Sequence, residues 1–392
     1  MLKICPRFWN VSSKNRINFN PLIVKTSGGK MGFPRSRFDL GFDQATNCPS
    51  ALAPMQDVTG LPFMRLIASR GEPDLFFTEF FRVHVNSRLS PEILSSIIEN
   101  PTSRPVFAQI IGENIDDILR TVVDLKEYPI AGVDLNMGCP APRVYKKNVG
   151  GGLLRDPKKI NRILSEMRSH IEGNLTVKMR IGFEDDRNFD EILKSIKLNE
   201  VNLLSLHVRT VKGGYNSSPD YSYIERALHF LEGSCPVFVN GSIETAQQAV
   251  CLKNELSTQG VMIGRAAIRN PWVFRQIREV GEGIIPFSPK RKDLFEYCVE
   301  LFSVLSHPGI DEKRVVSRIK KFLNYIGQSI DQDGEFLTEM RRSKTKAELF
   351  TVFEKYLIQG EKSQIEVLPE PLFKHGTAKN SISQGCNPVD CK

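Results

Sequence analysis

The sequence predicts an α/β protein in which a (β/α)8 TIM barrel is followed by a small all-helical domain. Eight short apolar runs lie between residues 51 and 266, and most of the segments between them are long enough for a crossover helix. The runs lack strict alternation, which is typical of strands buried on both faces. Eight βα units in series favour a closed barrel over a doubly wound sheet. The runs comprise residues 51–55, 75–80, 106–111, 133–136, 175–181, 203–208, 237–240 and 261–263.

The domain boundaries follow from changes in amino-acid composition and hydrophobic pattern along the chain. A proline-bounded linker follows the barrel, and after it helical patterns cover residues 292–305, 313–326 and 335–356 without any strand signal. The last residues are rich in Pro and Gly and are expected to be disordered. We therefore predict a basic leader over 1–47, the barrel over 48–285, the helical domain over 290–360 and a disordered tail over 361–392.

The leader is basic and free of acidic residues through position 38. Such a segment is consistent with an organelle transit peptide, with a disordered basic tail, or with an upstream start for which Met31 is the alternative. We expect a cytoplasmic protein, or an organellar one if the leader is a transit peptide.

Composition narrows the class of protein. The formal net charge of +8 suggests a polyanionic partner. The eight cysteines include no CxxC pair, so we expect free thiols and no metal site. No apolar run reaches the roughly 20 residues that a membrane helix needs. We expect a monomer without a membrane partner.

Polar and reactive side chains gather where the predicted strands end. In a TIM barrel these carboxyl ends meet at one rim and form the active site. The residues at or just after the strand ends are Pro54, Met55, Gln56, Gln109, Asn136, Cys139, Lys178, Arg180, His207, Asn240, Gly241, Ser242, Gly264 and Arg265.

The loops after the seventh and eighth strands fit a phosphate group. Glycines such as Gly241 and Gly264 let the backbone approach a ligand closely, and Arg265 offers a bidentate partner. Ordinary βα turns, which also use glycine, are the alternative.

Three single residues each leave alternatives open. Lys178 within a strand could be a positive charge beside a flavin ring, a Schiff-base amine, or half of a structural ion pair. Cys139 lies in a Gly-Cys-Pro loop and suits a proton donor, although a small buried hydrophobe is the commonest role of a free cysteine. His207 either faces the barrel mouth or is a structural histidine.

Two basic segments are candidates for contact with a nucleic-acid backbone. Arg143, Lys146 and Lys147 precede three glycines in what we expect to be a mobile loop over the site, unless it is a plain solvated loop. In the helical domain, basic side chains recur at helical spacing beside an apolar face, as RNA binding or simple solvation would require. The basic residues are Arg314, Arg318 and Lys321, with Tyr325 continuing the same spacing, and a second cluster lies at Arg341, Arg342, Lys344 and Lys346.

Several of these stretches together resemble the tRNA-dihydrouridine synthases, over about residues 51–356 and in the family's order. The most specific is Asn136-Met137-Gly138-Cys139-Pro140. The others are Ala53-Pro54-Met55, Val177-Lys178-Met179-Arg180, His207-Val208-Arg209-Thr210, Asn240-Gly241 and Val261-Met262-Ile263-Gly264-Arg265.

The resemblance implies an FMN-binding TIM barrel, a helical domain that helps to hold tRNA, and NADPH or NADH as reductant. It implies that Cys139 is the general acid. FMN contacts are implied for Pro54, Met55, Gln56, Gln109, Lys178, His207, Asn240, Gly241, Ser242, Gly264 and Arg265. RNA contacts are implied for Arg82, Asn136 and Arg180 in the barrel and for Arg318, Lys320 and Lys321 in the helical domain.

The sequence departs from the family pattern at a few positions, and other functions stay open as hypotheses. The family often has Ser or Ala where Gly151 and Gly152 stand, so a looser loop is expected, and the position of Gln56 varies. Residues 78–83, 177–183 and 318–326 look closest to the bacterial branch that acts on the sixteenth tRNA position. A flavin enzyme of small molecules, an aldolase-type Schiff-base barrel and a non-catalytic RNA-binding protein are the other hypotheses.

Overall fold

The computed structural model describes residues 40–41, 46–100, 102–306, 309–367 and 370–372. Nearly all of the predicted leader, and the predicted tail from residue 373 onward, lie outside these residues.

The core of the described chain is a parallel β-barrel, which confirms the predicted (β/α)8 fold. The ring is closed because β1 pairs with both β2 and β9 and β2 also pairs with β4. Eight strand positions result, since β2 and the short β3 lie one after the other beside β4. The strands are β1 Ser50–Leu52, β2 Leu75–Phe77, β3 Phe81–Arg82, β4 Val106–Ile111, β5 Gly132–Met137, β6 Asn174–Arg180, β7 Leu203–His207, β8 Val237–Asn240 and β9 Gly260–Ile263.

The second predicted strand, residues 75–80, is wrong as one continuous strand. Phe77 pairs with Phe107 and Phe81 with Ile110, so four steps along one strand face three along its neighbour. The extra residue makes a bulge, and the Thr78 hydroxyl accepts the Gln109 N–H at 3.1 Å in place of a ladder bond. The bulge turns Arg82 outward into solvent.

Helices cover the outside of the barrel and follow the strands in turn. In the helix Ile115–Leu125, the Asn114 side chain caps the first turn by accepting the Asp117 N–H. The barrel helices are α1 Leu61–Gly71, α2 Pro91–Ile98, α3 Ile115–Leu125, α4 Pro142–Tyr145, α5 Pro157–His170, α6 Phe189–Leu198, α7 Ser222–Leu231, α8 Ala246–Glu255, α9 Arg265–Arg269 and α10 Val273–Gly281.

The helical region that follows the barrel has one more break than predicted. The continuous helix expected over 335–356 ends at Ser343, whose backbone leaves the helical region (φ −57°, ψ 133°). Thr345 then caps a new helix by accepting the Glu348 N–H. The elements are α11 Arg291–Leu305, α12 Glu312–Ile326, α13 Glu335–Arg342, α14 Lys346–Phe353, a π-helical turn Glu354–Ile358 and a 3-10 turn Gly360–Gln364.

Ordered structure continues past residue 360, where the disordered tail was predicted to begin. The Val367 N–H donates to the Pro289 carbonyl at 2.7 Å, and the Arg291 N–H donates to the Ile365 carbonyl at 2.8 Å. Residues 365–367 therefore run beside the entrance of the helical region. Three residues are too few to show a periodic pattern, and the pairing uses backbone groups, so the sequence does not reveal it.

The helical region packs on the barrel next to the loop that follows β1. Phe322 of α12 meets Phe63 of α1 with ring centroids 5.6 Å apart, and the Tyr297 hydroxyl donates to the Ile268 carbonyl at 3.0 Å. Lys321 lies 3.4 Å from Asp57 in the β1 loop. In the ring order, β6 is the strand opposite β1.

The three consecutive glycines, Gly150 to Gly152, lie within a buried 3-10 turn rather than a loose loop. A Cβ on Gly151 would lie 2.6 Å from a methyl of Val211 and 2.9 Å from the Cys139 carbonyl oxygen. One on Gly152 would lie 2.6 Å from the Tyr145 carbonyl oxygen. The looser loop expected from the family comparison is therefore wrong: the glycines permit tighter packing.

We predict that Gly151→Ala lowers the free energy of unfolding by about 1–3 kcal/mol, the usual cost of overpacking a closed site. Gly281→Ala is the matched control, since its Cβ would meet nothing closer than 3.4 Å. Urea unfolding of both variants tests the prediction. Equal stability of the two would show that the turn can relax.

Candidate active site at the barrel mouth

A cavity opens at the carboxyl ends of the strands. It is lined from the ends of β1, β6, β7, β8 and β9, as the barrel argument predicts. Nine of the eleven residues predicted to contact a cofactor line it together: Pro54, Met55, Lys178, His207, Asn240, Gly241, Ser242, Gly264 and Arg265. Gln56 and Gln109 do not line it.

One wall of the cavity is formed by Gly241, Ser242, Gly264 and Arg265. We call it the anion cradle, because two glycines and an arginine could hold an anionic group there. Gly241 and Ser242 both have positive φ, at 119° and 54°. A Cβ on Gly241 would lie 2.7 Å from the His207 ring, so only glycine fits there. Arg209 supports the cradle from behind by donating to the Ser242 hydroxyl at 2.7 Å.

Lys178 extends from β6 into the cavity, where its amine donates a hydrogen bond to a side-chain amide oxygen rather than to a carboxylate. Its Nζ donates to Asn240 Oδ1 at 3.0 Å, and the Asn240 amide is oriented by its own bond to the Met262 carbonyl at 2.7 Å. Within the described ranges no carboxylate lies within 4.0 Å of Nζ, which argues against the ion-pair hypothesis. Burial, reinforced by Arg180, lowers the pKa of Lys178 to about 8.

His207 lies at the end of β7, buried beneath the cavity. Burial, together with the positive charges of Arg180 and Lys178, holds the pKa of His207 well below its ordinary value. The ring is therefore neutral at physiological pH. Arg209 approaches its Nε2 at 3.4 Å, which favours a tautomer with the proton on Nδ1.

Positive charge is concentrated at this end of the barrel. Lys178, Arg180, Arg209 and Arg265 all act on the His207 ring. In the part of the chain that the structure describes, none of the four makes an ion pair within 4.0 Å. Their N–H groups instead donate hydrogen bonds to backbone carbonyls, a hydroxyl and a side-chain amide, and the Arg265 guanidinium lies over an aromatic ring. Such a site favours an anionic ligand.

Cys139 lies across the mouth on the loop after β5. Cys139 is half-buried and packs against the apolar cluster of Phe80, Ile111 and Val144. Asn136 holds the loop, because its Oδ1 accepts the N–H groups of Gly138 and Cys139, each at 3.1 Å. By contrast, Cys48, Cys235 and Cys298 are buried, and burial raises the pKa of each of these three thiols.

The predicted RNA contacts in the barrel differ in accessibility. Arg82 is exposed, with its guanidinium above the Phe80 ring. Asn136 and Arg180 are 7% and 1% exposed. Arg180 donates to the carbonyls of Gly138, Thr210 and Gly214, and so ties the Cys139 loop to the loop after β7.

The predicted contacts on α12 differ in their exposure and partners. Arg318 and Lys321 are exposed on the outer face, together with Arg314, and Lys321 pairs with Asp57. The Lys320 amine donates to the carbonyls of Arg341 and Ser343 and so caps the end of α13. Lys320 therefore has a structural partner that sequence spacing does not reveal.

Tyr215 is a site residue that the sequence analysis missed. It lies in the loop after β7, lines the cavity and is 53% exposed. Its ring lies 4.7 Å from the guanidinium of Arg265 and 5.3 Å from that of Arg180. In the sequence, the only sign of this role is an aromatic residue directly after Gly213-Gly214 in a loop at the mouth. The direction of the Tyr215 side chain depends on an irregular turn, which hydrophobic periodicity does not predict.

The described residues contain no candidate metal site and no candidate membrane-spanning helix. No group of three or more His, Cys, Asp or Glu side chains there could hold a metal ion. No helix there is both long and apolar enough to cross a membrane.

Comparison with known proteins agrees with the architecture. The dihydrouridine synthase (Dus) family matches residues 51–360. A probable tRNA-dihydrouridine synthase of Staphylococcus epidermidis is 28% identical over 306 residues, 76% of this chain and 90% of that protein. One from Staphylococcus aureus is 28% identical over 317 residues, 79% and 93% of the two chains. The tRNA-dihydrouridine(16) synthase of Vibrio parahaemolyticus is 26% identical over 326 residues, 80% and 98% of the two chains. The chain therefore belongs to the dihydrouridine synthase family of oxidoreductases.

Proposed function

We propose that the protein is a tRNA-dihydrouridine synthase. It reduces the C5=C6 bond of a D-loop uridine to give 5,6-dihydrouridine, with FMN as cofactor and NADPH or NADH as reductant. The observation that carries the proposal is a cavity lined by Lys178 and Arg265, with Arg180 and Arg209 buried close to His207 and the Cys139 loop also at the mouth. None of these four cationic side chains has an ion-pair partner among the described residues. The names of the relatives support the substrate.

The residues of the cavity fit FMN. The anion cradle suits its phosphate, since the glycine positions leave room for close backbone approach and Arg265 supplies charge. The Lys178 amine suits the polar edge of the ring system. Gln56 Oε1 is buried without a hydrogen-bond partner, which a ring N–H would supply. Gln109, fully buried, would act from beneath the cavity.

The chemistry divides between the cofactor and the chain. When bound, FMN supplies the hydride that uracil C6 receives. The target base must leave the RNA stack to reach the barrel mouth. The Cys139 thiol then gives its proton to C5 from the opposite side of the base. Lys178 stabilises negative charge at the polar edge of the ring site, while Arg180 positions the Cys139 loop through Gly138.

Two basic surfaces flank the mouth and suit an RNA backbone. The first is the outer face of α12, with Arg314, Arg318 and Lys321, beside the β1 loop. The second, the opposite rim, consists of Arg143, Lys146 and Lys147 in the β5 loop, and all three side chains are exposed. In the described ranges neither lysine of the opposite rim makes an ion pair. A tRNA spanning both surfaces would place one base over the cavity.

We further propose that the target is the sixteenth tRNA position. The support is the likeness over residues 78–83, 177–183 and 318–326, together with a relative named for that position.

Loss of the proton donor gives the first functional prediction. Cys139→Ala should retain FMN but lower the rate on tRNA by about 10²- to 10⁴-fold, the usual contribution of a general acid. The measurement is mass spectrometry of dihydrouridine at position 16 in tRNA from a strain that lacks the modification. Cys251→Ala, on an outer helix, is the control and should act as wild type. Full activity of Cys139→Ala would remove the acid role.

The low pKa of Lys178 gives a prediction with a definite sign. The amine is charged below its pKa of about 8 and neutral above it. The Kd for FMN should therefore rise as pH passes about 8, by at most about tenfold per pH unit for one linked proton. Titration by quenching of flavin fluorescence between about pH 7 and pH 9 tests this. Lys178→Met should bind more weakly at pH 7 and respond less to pH; an unchanged response would place the titrating group elsewhere.

The opposite rim should contribute to the salt dependence of tRNA binding. Each phosphate contact adds about 0.7–0.9 to the slope of log K against log salt. Lys146→Ala combined with Lys147→Ala should therefore reduce the magnitude of the slope by about 1.5. The control pair is Lys126→Ala with Lys194→Ala, both of which are exposed, Lys126 just after α3 and Lys194 on α6. An equal effect of the two pairs would mean that only net charge matters.

A further inference from the structure

A chain of buried side chains runs beneath the mouth and ends at the Cys139 loop. Asp134 is completely buried in β5, and its Oδ1 accepts the Thr176 hydroxyl at 2.6 Å. Its Oδ2 accepts Gln109 Nε2 at 2.7 Å. Gln109 Oε1 in turn accepts Asn136 Nδ2 at 2.8 Å, and Asn136 Oδ1 accepts the loop N–H groups of Gly138 and Cys139.

The direction of this chain is fixed from both ends. A carboxylate can only accept, so Gln109 must present its NH2 group to Asp134 and its carbonyl oxygen to Asn136. Asn136 must then donate to Gln109, which leaves its own carbonyl oxygen facing the loop. The backbone N–H groups at the far end can only donate, so they require the same direction. Reversal of either amide would set two donors or two acceptors against each other at two contacts.

We propose that Asp134 is a positioning residue, which sets the conformation of the Cys139 loop through the amides of Gln109 and Asn136. The inference rests on the proposed function in one respect, that Cys139 is the proton donor. Asp134 itself lies below the cavity and does not line it. It acts by leaving the Asn136 amide a single orientation, in which two loop N–H groups are held at once.

The test compares two substitutions at opposite sides of the same carboxylate. In Asp134→Asn the side chain can present either an oxygen or an NH2 group to Gln109, so the direction is fixed only from the loop end and no longer from both ends. In Thr176→Val the bond from Gln109 remains, so the direction is kept. Both variants remove one buried hydrogen-bonding feature of β5 or β6, which makes Thr176→Val a matched control for general loosening.

The first readout is alkylation of the purified full-length protein without tRNA, followed site by site by mass spectrometry. We expect the alkylation rate of Cys139 to change severalfold in Asp134→Asn and to stay at the wild-type value in Thr176→Val. Cys235, buried in the same barrel, is the internal reference and should remain unreactive in both variants. An unchanged Cys139 rate in Asp134→Asn, or an equal change in Thr176→Val, would overturn the proposal.

The second readout is turnover. Asp134→Asn should lower kcat on tRNA by roughly 10- to 100-fold, the scale of a misplaced catalytic group, with KM for tRNA unchanged. A loss confined to KM would also overturn the proposal. If Asp134→Asn does not fold, Gln109→Met breaks the same chain at its middle and should change Cys139 alkylation in the same way. Because alkylation needs neither tRNA nor turnover, it can support the positioning role even if Cys139→Ala shows that another group supplies the proton.

Discussion

The site depends on a group of positive charges that the chain does not neutralise. Lys178, Arg180, Arg209 and Arg265 converge on one neutral histidine, and none has a carboxylate within ion-pair distance among the described residues. Burying charge in this way costs free energy unless hydrogen bonds and a bound anion compensate. The barrel supplies the hydrogen bonds from backbone carbonyls, Ser242 and Asn240. We propose that a bound anion supplies the remaining compensation.

The two sides of the mouth are held by different means. On the side of β7 to β9, positive φ angles and a ring contact leave Gly241 no alternative residue. On the side of β5, the Cys139 loop is held from below by Asn136, from the flank by Arg180 and from behind by the close-packed Gly151. Three independent supports on one loop are consistent with a reacting group whose position must be reproducible.

The barrel and most of the residues at its rim could be predicted from the sequence, but several side-chain partners could not. Parallel barrel strands are buried on both faces, so eight apolar runs were readable, and the rim residues followed from where those runs end. The bulge at Thr78 was not readable, because a side-chain hydroxyl replaces a backbone bond there. The same holds for Lys320 and Arg180, whose partners are backbone carbonyls far along the chain. Periodicity reports which face a residue lies on, but not which backbone group its side chain will find.

The pairing of residues 365–367 with the start of α11 has a consequence for modularity. The segment 365–367 returns to the start of the helical region, with Pro289 and Val367 in direct contact. Residues 370 and 372 then hydrogen-bond to Ser329 and Gln328, so the described chain stays on the helical region as far as residue 372. Any chimera that exchanges this region with a relative would have to cut before residue 289 and after residue 372, since a junction at 360 would separate segments that complete each other.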